Sequence, residues 1–110
     1  MEYRRLGKTG WKVSVIGFGA SPLGGVFGNV EAAEGMRAVH AAFDSGVNFF
    51  DVAPFYGLTR AETVLGKALV SLPRNSFYLS TKVGRYSTEE FDLSAERVTR
   101  SVQQSLARLQ

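Results

Sequence analysis

Three times along this chain a short apolar run of strand character gives way to apolar residues at helical spacing, and no other feature restricts the fold as tightly. The first unit pairs Val15-Ile16-Gly17-Phe18-Gly19, expected as a buried strand, with a helix over Ala32 to Ser45 that carries Met36, Val39 and Phe43 on one side. Gly46 supplies its stop signal. The second unit joins the strand Val47 to Val52 to a helix whose apolar face is Ala61, Val64, Leu65, Ala68, Leu69 and Leu72. Thr59-Arg60-Ala61-Glu62 before it has the spacing of a capping box, and Pro73 ends it. The third unit is the strand Phe77 to Lys82, a long loop from Val83 to Leu93, and a helix capped by Asp92 or Ser94 with Ala95, Val98, Val102, Leu106 and Leu109 on its apolar face. A preface of Arg4-Arg5-Leu6, the turn Gly7-Lys8-Thr9-Gly10 and the alternating stretch Trp11 to Val15 reads as a hairpin.

Repeated βα units imply parallel strands joined by right-handed crossovers, an α/β architecture whose sheet is covered by helices or closed into a barrel. A (β/α)8 barrel takes roughly 250 residues. At 110 residues, an N-terminal hairpin plus about three βα units is expected to form a partial barrel, residues 1–110 being one truncated domain. Its outer strands would have unpaired edges and an exposed apolar face, which favour self-association.

Composition removes several classes of function. Thirteen Lys and Arg against ten Asp and Glu give a net charge of +3 without a basic cluster, which argues against nucleic acid as a partner. There is no cysteine and only one histidine, His40, so disulfides, thiolate metal sites and a multi-histidine metal centre are excluded within the chain. No apolar stretch is long enough for a membrane helix and the start lacks the apolar block of a secretion signal, so the expected compartment is the cytoplasm.

In a parallel α/β sheet the chemistry gathers at the carboxyl ends of the strands. Asp51 ends the second strand, Tyr56 follows on its loop, and Lys82 ends the third strand. If those strands are neighbours, about 4.8 Å apart, the three side chains can meet. A phenol with an ordinary pKa near 10 is a poor proton donor at neutral pH, and an adjacent ammonium favours its phenolate. Such a trio suits acid–base work on a carbonyl or an alcohol. Each residue alone has a plainer role: an Asp at a strand end pairs a lysine or caps a helix, and Tyr56 can simply pack. Asp51, however, lies in an otherwise apolar run from Phe49 to Ala53, where a charge is costly unless it is paired or has a task.

The glycine-rich stretch Gly17 to Gly25 fits neither nucleotide motif: Pro22 stands where G-x-G-x-x-G needs its third glycine, and Gly24-Gly25-Val26 replaces G-K-[ST]. Gly19 and Ala20 still let a flat ring approach a strand end, or form a simple tight turn. His40 is expected on the surface or at a helix contact, and Trp11 in packing. Arg85 and Tyr86 either line a pocket or form an exposed loop pair.

Four segments together resemble the aldo-keto reductases: Arg5-Leu6-Gly7-Lys8-Thr9-Gly10; Ile16-Gly17-Phe18-Gly19; Gly46-Val47-Asn48-Phe49-Phe50-Asp51-Val52-Ala53-Pro54-Phe55-Tyr56-Gly57; and Leu79-Ser80-Thr81-Lys82. The third is the most specific, and the match is to the amino-terminal portion of the family. Gly19 to Gly24 and Gly84-Arg85-Tyr86 look most like the plant-type sugar dehydrogenases within it. The resemblance implies a barrel whose bottom is closed by the hairpin and an NAD- or NADP-dependent reaction without metal. The substrate would be a sugar such as L-galactose, or a simple carbonyl compound. It further implies Tyr56 as general acid or base, Lys82 as the group that favours the phenolate and Asp51 as the partner of Lys82, with Gly19, Ala20 and Asp51 beside the nicotinamide. The family's catalytic His belongs to a fourth strand, beyond Gln110, as do most cofactor contacts. The isolated chain is therefore expected to be inactive. A non-catalytic half-barrel that pairs with another chain is the second expectation.

Overall fold

The computed structural model describes all residues from Met1 to Gln110. A hairpin comes first: β1 (Tyr3–Arg5) and β2 (Lys12–Ser14) pair antiparallel, with Tyr3 opposite Ser14. Its turn uses Gly7 and Gly10 at φ of +51° and +79°, a region open to glycine at no steric cost. Three parallel strands follow, β3 (Phe18–Gly19), β4 (Phe49–Asp51) and β5 (Tyr78–Ser80), arranged β3-β4-β5 with β4 in the centre. The helices are α1 (Ala32–Asp44), α2 (Arg60–Leu69) and α3 (Ala95–Leu109). The result is an open α/β sheet, and no helix is long and apolar enough to cross a membrane.

Phe50 at the centre of β4 is fully buried, in contact with Phe18 and Phe77 at ring-centroid distances of 5.8 and 5.9 Å. Around it the core draws Val39 from α1 and Ala61, Val64, Leu65, Ala68 and Leu69 from α2, the apolar face expected for that helix. His40 bonds the carbonyl of Ala68 through Nε2 at 2.8 Å and so links α1 to α2 as a packing residue.

The hairpin is tied to the amino end of the sheet. Asn48, just before β4, accepts from Ser14 N at 2.7 Å and donates to Lys12 O at 3.0 Å, while Tyr3 Oη donates to Gly46 O at 2.8 Å. Trp11 stacks on Tyr78 at 4.7 Å. These contacts leave the carboxyl ends of the strands clear.

Two local expectations are corrected, and the buried face of α3 differs from its apolar one. The first strand is shorter than the run Val15 to Gly19: Val15 and Ile16 are exposed, and pairing begins at Phe18. Thr59 and Glu62 do not form a capping box. Thr59 has φ +80°, far from the extended geometry that an N-cap hydroxyl needs, and makes no capping bond. Finally, α3 buries Arg97, Ser101, Ser105 and Leu109, whereas Val102 and Leu106 are exposed. The reason is how closely α3 approaches α2. A Cβ added at Gly66 would fall on the carbonyl oxygen of Arg108 and lie 2.9 Å from Leu109 Cα, so small side chains are favoured at the contact.

Ser94 caps α3, its Oγ accepting from Arg97 N at 3.3 Å. Asp92 sits two residues earlier and accepts from Ser94 N at 2.8 Å. That backbone bond first, then the Ser94 side chain, and last the Arg97 and Arg100 charges hold the Asp92 carboxyl below its ordinary value of 3.8, against an opposing desolvation effect. A depressed folded pKa contributes stability above the unfolded value, and that contribution is lost as pH falls through the folded one. The Ser94 amide resonance should therefore titrate with a midpoint below 3.8, and Asp92→Asn should abolish the titration. A midpoint at or above the free value would show that the bond does not persist in solution.

Candidate functional site

Because β3, β4 and β5 lie in register, their carboxyl ends fall at one level, with Gly19 opposite Asp51 and Asp51 opposite Ser80. The ladder then runs on for one step, Ala20 N donating to Asp51 O at 2.8 Å and Val52 N to Ser80 O at 2.9 Å. Lys82, two residues past β5, turns back across this edge. Its Nζ donates to Asp51 Oδ2 at 2.6 Å and to the Val52 carbonyl at 3.0 Å. The same ammonium lies 5.2 Å from the ring centroid of Tyr56. The structure thus brings Asp51, Tyr56 and Lys82 together at the carboxyl rim.

The side chains of Lys82 and Asp51 are 45% and 39% exposed, so Asp51 escapes the burial that its apolar strand suggests. At this exposure an ion pair contributes at most about 1 kcal/mol. Its consequence is positional: two acceptors hold the ammonium in one place beside the phenol.

Tyr56 is held by the backbone on both sides. Tyr56 N donates to Ala53 O at 3.2 Å and Thr59 N to Pro54 O at 2.7 Å. Gly57, Leu58 and Thr59 follow at φ of +61°, +49° and +80°, three successive left-handed residues that return the chain into α2. For Leu58 and Thr59 this geometry is strained. The loop after β3 packs against the same turn. A Cβ at Gly24 would come within 2.7 Å of the Tyr56 carbonyl carbon and 2.8 Å of Gly57 N, and one at Gly57 would fall on the Gly24 carbonyl. The segment Ala20 to Val30 is therefore anchored, with a 3-10 turn at Ser21–Gly24 and Leu23 buried. Ala20 is buried, whereas Gly19 is exposed and an added Cβ there would meet no heavy atom within 4 Å.

Two features went unrecognised in the sequence. Glu62 on α2 is fully buried; it accepts from Thr81 Oγ1 at 2.6 Å and from Arg108 Nε at 2.6 Å. Thr81 is the neighbour of Lys82, so this carboxylate fixes the end of β5 from behind. The second feature is how the loop after β5 folds back, as a narrow ribbon with Arg85 bridged to Phe91; Arg85 and Tyr86 are not an exposed pair, since only Arg85 is exposed. Arg85 lies 3.9 Å over the Phe55 ring, and the buried Tyr86 lies beneath Arg97 at 3.5 Å. Long-range stacking of this kind has no local sequence signal.

A parallel α/β sheet with an acid, an amine and a phenol at its carboxyl rim defines a class of fold and site, and comparison with known proteins supplies the family. Residues 15–110 match the model of the aldo/keto reductase family, and the chain belongs to that family. L-galactose dehydrogenase of Arabidopsis thaliana is 54% identical over 112 residues, covering 100% of this chain and 35% of the relative. Pyridoxal 4-dehydrogenase of Microbacterium luteolum is 44% identical over 81% of this chain, and D-threo-aldose 1-dehydrogenase of a Pseudomonas species 38% over 69%. The chain spans 26% and 23% of those two proteins. Among solved structures, the holo form of an aldo-keto reductase from Bacillus halodurans superposes with a TM-score of 0.85 at 31% identity, over 99% of this chain and 36% of that one.

The Glu62 cluster provides the test of how the rim is supported. Removing one partner of a buried ion pair leaves the others without their acceptor, and Glu62→Ala should cost about 3 kcal/mol in urea unfolding. Glu62→Gln, which keeps one acceptor oxygen, should cost less. A loss below about 0.5 kcal/mol for the alanine variant would show that Thr81 and Arg108 find water instead.

Proposed function

We propose that residues 1–110 form the amino-terminal part of a (β/α)8 barrel that interconverts carbonyls and alcohols with NAD or NADP, and that its substrate is a sugar oxidised at the anomeric carbon. The observation that carries this reading is the Lys82 ammonium, bonded to Asp51 at 2.6 Å and 5.2 Å from the Tyr56 ring. The relatives, an L-galactose dehydrogenase and a D-threo-aldose 1-dehydrogenase among them, support the substrate class.

In this reading Tyr56 accepts the proton of the substrate hydroxyl during oxidation and returns it during reduction. Lys82 stabilises the phenolate, and Asp51 with the Val52 carbonyl keeps Lys82 oriented. Gly19, with open space where a side chain would stand, and its neighbours Ala20 and Asp51 would border a flat nicotinamide ring. A bound NAD or NADP supplies the hydride acceptor or donor, and its phosphates and adenosine are left to residues beyond Gln110. The cytoplasm is the compartment proposed.

One observation favours a second reading, in which the chain is an interaction module. An apolar groove of about 360 Å³ lies between α2, α3 and the outer side of β5, lined by Leu69, Leu72, Phe77, Leu79, Val102 and Leu106 among others. Asp51, Tyr56 and Lys82 are not among its lining residues. In the enzyme reading a further strand and helix cover it; in the other, a second copy does. Size exclusion of 1–110 separates the two, since a stable dimer supports the module.

For the enzyme reading, Tyr56→Phe in the full-length barrel should lower kcat by a factor of roughly 10² or more. Because the phenol acts on the substrate oxygen, the Kd for NADP, read by fluorescence titration, should stay within about twofold. Wild-type kcat in the variant would remove Tyr56 from the chemistry.

A further inference from the structure

Beside the proposed trio stands a cation that the reaction leaves unused. Arg85 is exposed, and no carboxylate lies within ion-pair distance of it. Its guanidinium is 3.9 Å from the ring centroid of Phe55 and 4.9 Å from that of Phe91, with a single long bond from Nε to Ser87 O at 3.4 Å. The two Nη groups donate to nothing in the chain. Phe55 is the residue before Tyr56, and Arg85 is three residues past Lys82, so this group stands on the same rim as the trio.

The contrast with Arg97 shows what is unusual here. Arg97 is also stacked, over Tyr86, but it is buried and bonded to both Glu90 at 3.2 Å and Gln104 at 3.3 Å. Its Nε and Nη1 are engaged within the fold. Those of Arg85 are oriented by aromatic contacts and by the Arg85–Phe91 bridge, and left open along one edge. A planar fork fixed in advance loses little freedom when it binds a pair of oxygen atoms.

We infer that Arg85 is a specificity-determining residue of this site, its Nη edge donating to a vicinal pair of hydroxyl oxygens on the sugar distal to the reacting carbon. Phe91, 64% exposed even beside the guanidinium, adds an apolar surface suited to the C–H face of a pyranose ring. The inference deepens the sugar-oxidising reading above and rests on it.

The test compares two substrates with the same reacting group: L-galactose and 2-hydroxytetrahydropyran, which is the pyranose ring with its anomeric hydroxyl alone. In the full-length enzyme, Arg85→Met should reduce kcat/KM for L-galactose at least ~10-fold more than for the bare lactol, chiefly through KM. Arg85→Lys, a point charge in place of a fork, should not restore it. An equal fall for both substrates, or no fall for the sugar, would overturn the inference and make Arg85 a loop-packing residue. Should the wild type oxidise the lactol with no preference for the sugar, the inference is likewise overturned while the oxidoreductase reading stands. Oxidation of neither compound would defeat the sugar-oxidising reading itself, and this inference with it.

Discussion

A carboxylate with no access to water is stable only where its charge and lone pairs are met by the protein, and Glu62 imposes that condition on the molecule. It belongs to α2, its hydroxyl partner Thr81 follows β5, and its guanidinium partner Arg108 comes from the last turn of α3. Three elements distant in sequence must therefore be in place together before the charge is satisfied. The close packing of α2 on α3 at Gly66 and the small Ser101 and Ser105 in the contact are consistent with that demand. So is the position of Lys82, the residue after Thr81.

From this support the two ends of the sheet acquire different characters. At the amino end Asn48, Tyr3 and Trp11 hold the hairpin across the strands. At the carboxyl end the three strands stop at one level and expose Gly19, Asp51 and Lys82 side by side. Polarity of this kind follows from parallel strands in register, since every strand presents the same end to the same side. The approach of an ammonium to a phenol is then a matter of two short loops.

The alternation of strand and helix was legible because period is a local property, and it located all three helices and all three parallel strands. Strand length was less so: Val15 and Ile16 have strand composition, but Val15 N bonds back to Glu2 O of the hairpin and pairing in the parallel sheet begins only at Phe18. Thr59 and Glu62 illustrate a deeper limit. Their spacing matches a capping box, yet the left-handed turn through Gly57, Leu58 and Thr59 removes the required geometry and frees Glu62 for partners 19 and 46 residues away. On α3 the apolar stripe was legible as a stripe, but its Val102 and Leu106 are exposed along the groove beside β5, and the buried face is made of Arg97, Ser101, Ser105 and Leu109. Asp51, Tyr56 and Lys82 could be picked out as residues at strand ends; their distances required the fold. The stacking of Arg85 between two phenylalanines left no trace in the sequence.

The contact between Gly24 and the Tyr56–Gly57 backbone has a consequence for how such a chain diverges. Two main-chain segments touch there with no space for a methyl group on either, so the loop after β3 and the turn bearing the phenol cannot be remodelled independently. A mutation that displaces one segment is inherited by the other as a displaced Tyr56. Diversification of this rim is thereby channelled toward the third loop, where Arg85 resides, and away from the first two.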